Sequence, residues 1–178
     1  QIPGVQISYQ GITLTAKTTS GTSSTFTVKG FNTTTASQIA TSNNNQIASA
    51  LDSILSQEIE VTGYSTKTAA YAISNDPTSL KTAIISAIET EITNSKETFD
   101  INGISYSLTD IDNGLSVSYL PTAISQTDDE NGIIPGVQIS YQGIALTPKS
   151  TSTSASSTSS SNTFTVKGFS TATASQIA

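Results

Sequence analysis

The stretch Ile-Pro-Gly-Val-Gln-Ile-Ser-Tyr-Gln-Gly-Ile occurs twice without a change, from Ile2 to Ile12 and from Ile134 to Ile144. A second block follows each copy. Phe26–Ala40 and Phe164–Ala178 differ only at Asn32/Ser170 and Thr34/Ala172. Between the blocks lie Ser/Thr spacers of unequal length, Thr18–Thr25 and Ser150–Thr163. Two identical stretches call for equivalent surroundings. An alternating strand with Val5, Ile7 and Tyr9, or Val137, Ile139 and Tyr141, on one face needs an apolar cover. The spacing, roughly 130 residues, is domain-sized rather than solenoid-sized. It predicts a window cut from a string of similar units, or a subunit whose ends copy one another.

The pattern along the chain predicts an α+β unit. Phe26–Phe31 reads as a strand, with Phe26 and Val28 on one face. Ala36, Ile39, Ala40, Ile47, Ala50, Leu51, Ile54 and Leu55 keep one helical phase through Thr34–Ser56, with Asn43–Asn45 as a weak middle. Ile59 and Val61 alternate as a strand, and Ala69–Ile73 reads as another. Asp76-Pro77 is a helix start, followed by the stripe Leu80, Ile84, Ala87, Ile88 and Ile92. Asn102-Gly103 is a hairpin signal between Thr98–Ile101 and Ile104–Leu108. Asp112-Asn113-Gly114 reads as a turn into Leu115–Leu120, and Thr127–Asn131 as an acidic loop.

This order predicts a mostly antiparallel sheet with two helices on one face, repeated in tandem or sharing strands between neighbouring units. In that scheme Gln1–Lys17 completes a preceding or neighbouring unit, Phe26–Lys149 is a complete unit, and Phe164–Ala178 starts the next. Residues placed at the junctions are Val5, Ile7, Tyr9, Phe26, Val28, Val137, Ile139, Tyr141, Phe164 and Val166.

Composition narrows the chemistry. The chain has no Cys, His, Met or Trp, and its seven basic residues are all Lys. That removes disulfides, thiolate and imidazole metal ligands, and the usual near-neutral acid–base group, so neither catalysis nor a cofactor is expected. A net charge of −6 disfavours nucleic acid and anionic membranes as partners, and no run is apolar enough to predict membrane insertion. With only 11% charged residues, polarity comes from Ser, Thr, Asn and Gln, a mix that suits an extracellular or cell-surface setting. The chain opens on Gln1 rather than Met, which predicts that something precedes it.

Asp110, Asp112 and Asn113 beside Gly114 loosely match a calcium loop, but the distal Glu of such a loop is missing, and a hairpin turn is the simpler expectation. Asp128, Asp129 and Glu130 read as a solvated acidic loop. Glu58, Glu60, Glu89 and Glu91 could supply a carboxylate pair, yet they lack surrounding aromatics. Lys29 and Lys167 match in the repeated strand, where a lysine guards an edge.

By composition and repetition, the chain resembles the large secreted tandem-repeat proteins that bacteria and archaea display as adhesins, filaments or matrix fibres. The resemblance implies a non-catalytic structural unit of an extracellular fibre, with identical or similar units as partners. A second implication is an adhesin module that binds surface glycan or a cation with avidity from the array.

Overall fold

The structure, a computed structural model, describes residues 1–18, 20–31, 36–149 and 162–171. The chain divides into two units, Gln1–Ile39 and Ala40–Ala178.

The first unit is made of strands: β1 (Ile2–Val5), β2 (Ser8–Tyr9), β3 (Ile12–Thr13), β4 (Ala16–Thr18), β5 (Gly21–Ser23) and β6 (Phe26–Val28). They pair antiparallel as β1–β6, β2–β3 and β4–β5. Pro3 and Gly4 fall at a break in register between the Ile2–Val28 and Val5–Phe26 pairs. Proline has no N–H to give to a ladder and Gly4 sits at φ 73, so the pair of residues makes a bulge. The Thr18–Thr25 spacer is therefore not wholly irregular, because β4 and β5 form a hairpin across it.

Helix α1 (Ala36–Ile54) runs unbroken through Asn43–Asn45. Asn43 is buried, and its side chain is satisfied on both sides: Nδ2 donates to the Tyr106 hydroxyl at 2.9 Å, and Oδ1 accepts from Asn102 Nδ2 at 2.7 Å. A buried amide with both ends bonded is tolerated in a helix; an unbonded one would cost about 1–3 kcal/mol.

The second unit continues with β7 (Glu58–Glu60), α2 (Ala69–Asn75), α3 (Pro77–Ser95), β8 (Phe99–Ile101), β9 (Ile104–Tyr106), α4 (Leu108–Gly114), β10 (Leu115–Tyr119), α5 (Gln126–Glu130), β11 (Ile133–Tyr141), β12 (Ile144–Ala145) and β13 (Phe164–Lys167). Its main sheet has the order β10-β11-β13-β7, with β12 folded back on β11. All pairings are antiparallel except β13 with β7, which run parallel with Val166 beside Ile59. Helix α3 packs against both end strands of this sheet, β7 and β10. Ile47, Leu51 and Leu55 of the α1 segment, Leu80, Ile84, Ile88 and Ile92 of α3, and Ile59, Ile134, Val137, Ile139, Phe164 and Val166 of the sheet form one buried core. Each buried aliphatic side chain contributes about 1.5–3 kcal/mol of transfer free energy.

Several expectations are corrected. Five helices, not two, lie among the described residues. The three additional ones are short and set by their caps. Thr68 accepts from the Tyr71 amide at the start of α2, where an Ala-rich segment expected as a strand favours helix. Ser107 and Asp110 form a reciprocal capping box at α4, which replaces the expected turn. Ser125 caps α5, in place of the acidic loop. Helices of five to seven residues show less than two full turns of period, so apolar spacing does not announce them.

The tandem, strand-sharing architecture is also corrected. Phe164–Lys167 does not wait for another unit; it lies inside the sheet of its own chain, hydrogen-bonded to β11 on one side and β7 on the other. What is duplicated is a strand ladder, while the described elements from α1 to α5 occur once. The fibre subunit requires units that complete one another, and the glycan or cation adhesin requires an array of repeated units. A second unit closed by its own strands, and described elements from α1 to α5 that occur once, overturn both, and with them the resemblance to tandem-repeat filaments and the expected partnership of identical units.

The expected helix start at Asp76-Pro77 is present, although Asp76 makes no side-chain cap and pairs with Lys67 Nζ at 2.5 Å. At the β8–β9 turn, Asn102 and Gly103 both take positive φ, as a two-residue hairpin of this type demands.

Candidate interaction surface

The two copies of the duplicated ladder fold alike. Ile2 faces Val28 and Val5 faces Phe26, just as Ile134 faces Val166 and Val137 faces Phe164. Tyr9 pairs with Ile12 as Tyr141 pairs with Ile144. The Leu14 amide donates to the Ile7 carbonyl at 2.8 Å, and the Leu146 amide to the Ile139 carbonyl at 2.9 Å. Even the turn geometry repeats: Gln10 and Gln142 both have φ 47. Local sequence therefore dictates this ladder, whatever surrounds it.

The surroundings differ. Ile7 and Tyr9 are 40% and 65% exposed, whereas Ile139 and Tyr141 are 1% and 2% exposed. Ile2, Ile12, Leu14 and Val28 are exposed; Ile134, Leu146 and Val166 are fully buried. Val5 and Phe26 are half-buried, against complete burial of Val137 and Phe164. The residues expected at junctions thus separate into two sets. Val137, Ile139, Tyr141, Phe164 and Val166 belong to the core of the second unit, while in the first unit Val5 and Phe26 are half-buried and Ile7, Tyr9 and Val28 are exposed. Leu14 and Ile12 extend that exposed set and were not among the expected residues; their duplication as Leu146 and Ile144 is the signal that marks them.

Charge repeats the contrast. Lys167 donates to Glu58 Oε2 at 3.0 Å, and this hydrogen bond is the main reason that its ammonium pKa is raised above 10.5. Lys29, its counterpart, is exposed and has no ion pair among the described residues. The span Gln1–Phe31 contains Lys17 and Lys29 and no carboxylate side chain, so this segment is basic within an acidic chain.

The other candidates are less developed. Asp110, Asp112 and Asn113 all lie on α4. Asp110 bonds the Ser107 hydroxyl and amide, and these two bonds lower its carboxyl pKa below the ordinary value. Asp112 has one buried carboxylate oxygen without a described partner. No group of three metal-ligating side chains gathers among the described residues. Glu58, Glu60 and Glu91 line an open cleft of about 380 Å³ between β7 and α3. Two of these are engaged, Glu58 with Lys167 and Glu91 with the Ser56 amide at 2.8 Å. Asp128 caps α5 with Ser125, and Asp129 accepts from the Ala70 amide at 2.7 Å. Among the described residues no helix is long and apolar enough to cross a membrane.

Comparison with protein-family models, with curated proteins and with solved structures finds no match.

Proposed function

We propose that this chain is a non-catalytic protein-binding domain working outside the cell, with the open face of its first strand ladder as the docking surface. The observation that carries this reading is the exposure of Ile7, Tyr9, Ile12, Leu14 and Val28 in a ladder whose twin is buried by a protein core. Scattered apolar residues on a surface are ordinary, but here five large ones fall in a single short segment, and such a concentration supports an interaction site. Its backbone is already held by hydrogen bonds, so binding does not have to order it anew, and less conformational entropy is lost. The absence of His, Cys and Arg supports a binding role over a catalytic one. The Ser/Thr-rich, weakly charged composition supports an extracellular setting.

The test uses an apolar fluorescent dye, 8-anilinonaphthalene-1-sulfonate, with the full chain and an Ile7→Asp/Ile12→Asp variant. The full chain should enhance dye emission, and the variant should lose most of that signal while the main thermal transition stays in place. Equal emission from both proteins overturns the reading.

A further inference from the structure

We propose that Asn102 is a site of spontaneous deamidation, and that its conversion to aspartate or isoaspartate loosens the contact between α1 and the β8–β9 hairpin. The only co-reactant is water. The Gly103 backbone nitrogen loses its proton and attacks the Asn102 Cγ; an N–Cγ bond forms, and the Cγ–Nδ2 bond breaks to release ammonia. Water then opens the cyclic imide at either carbonyl, leaving aspartate or a backbone lengthened by one carbon as isoaspartate. Glycine favours the first step because no Cβ hinders the attacking nitrogen.

The sequence offers three such dipeptides, Asn102-Gly103, Asn113-Gly114 and Asn131-Gly132. The structure separates them. The Gly132 amide is bonded to the Asp129 carbonyl at 3.0 Å, and a Cβ at Gly132 would lie 2.6 Å from the Phe169 carbonyl oxygen. Asn113 is held inside α4, and the Tyr141 ring fills the space beside the buried Gly114. At Gly103 nothing lies within 4 Å of the equivalent point. Asn102 and Gly103 are both exposed, and the Gly103 N–H has no hydrogen bond among the described residues. The hairpin strands have three residues each, so local opening lets Asn102 leave its φ of 53 for the geometry of attack.

The nitrogen that leaves is the one that matters to the fold. Asn102 Nδ2 donates to the Oδ1 of buried Asn43 at 2.7 Å. Both products carry a carboxylate there, which only accepts, so Asn43 Oδ1 loses its donor and faces a negative charge. Turning the Asn43 amide over restores a donor towards aspartate only by taking Nδ2 from the Tyr106 hydroxyl, whose O–H must then donate. Isoaspartate also lengthens a turn whose register the Ile101–Ile104 pair sets.

The full chain is incubated at mildly alkaline pH, and samples are mapped by peptide mass spectrometry with separation of the aspartate and isoaspartate forms. Asn102 should react about tenfold or more faster than Asn113 and Asn131, the difference that their unequal local opening gives. Its rate should rise with pH, since the attacking nitrogen must lose its proton. The acidic form, isolated by anion exchange, should melt at a lower temperature than fresh protein. Asn102→Gln should abolish that form and keep the main thermal transition. Gln10 and Gln142 already take the same positive φ before a glycine, so the turn accepts the change, and glutamine closes the larger ring slowly. Reaction at Asn113 or Asn131 as fast as at Asn102, or no reaction at Asn102, overturns the assignment. An acidic form with the midpoint of fresh protein overturns the coupling to α1.

Discussion

Val28 and Val166 hold the same position in two copies of one ladder, opposite Ile2 and Ile134, yet Val28 is 38% exposed and Val166 is fully buried. The backbone pairing is the same and the sequence around each is nearly the same. Burial is therefore a property of what packs against the ladder and not of the ladder itself. That contrast yields paired substitutions in which one copy serves as the control for the other.

Gly30 and Gly168 form such a pair. Both have positive φ, 100 and 109. A Cβ at Gly168 would lie 2.3 Å from the Val61 carbonyl oxygen, whereas at Gly30 nothing lies within 4 Å. Gly168→Ala should destabilise the second unit by roughly 2 kcal/mol or more, from backbone strain and the clash together. Gly30→Ala carries the strain without the clash and should leave the main unfolding transition within about 0.5 kcal/mol. Urea denaturation of both variants checks the difference, and equal losses would contradict it.

Asn43 ties α1 to the β8–β9 hairpin through Tyr106 and Asn102. Asn43→Ala should cost about 1–3 kcal/mol, because it strands buried polar groups. Tyr106→Phe should cost about 1 kcal/mol, and the double variant should lose less than the sum of the two. Additive losses in denaturation experiments would show that the hydrogen bond is not a coupled unit.

Ser107→Ala removes a side chain that accepts from the Asp110 amide and donates to the Asp110 carboxylate. The loss of this cap should cost about 0.5–2 kcal/mol. Since Asp110 is committed to the cap, millimolar calcium should leave the thermal midpoint of the parent chain unchanged. A calcium-dependent rise would place an ion at Asp110–Asn113 instead, because a ligand that binds the native state stabilises it by mass action.

Stability should fall on the alkaline side. The hydrogen bond from Lys67 to Asp76 raises the lysine pKa above its ordinary 10.5, and burial raises the Tyr141 hydroxyl above 10.0. In both cases the folded state holds its proton more tightly than the unfolded state. Their contribution is complete below the unfolded values and is lost as pH rises through the folded ones, so the decline begins near pH 10. Lys67→Met should flatten part of this decline in midpoints measured across the alkaline range. An unchanged slope would remove Lys67 from the account.

The sequence by itself determined the ladder, the long helices and the hairpin. Identical residues give identical register in both copies, Pro77 marks the start of α3, four-residue steps of Leu and Ile mark its buried side, and Asn102-Gly103 sets the β8–β9 turn. These features depend on neighbours within a few residues, or on a period that repeats for several turns. The short helices escaped notice because one or two capping side chains, rather than a repeating period, mark each one.

Only the tertiary structure decided where β13 goes. Its parallel pairing of Val166 with Ile59 joins segments far apart in the chain across a Ser/Thr-rich stretch, and no local pattern records such a partner. The same holds for the candidate surface. The apolar residues from Ile2 to Val28 are legible as needing cover, but whether they receive it depends on long-range packing. One set of side chains became core in the second unit and an open face in the first, because hydrophobic burial is non-directional and goes to whichever apolar surface lies within reach.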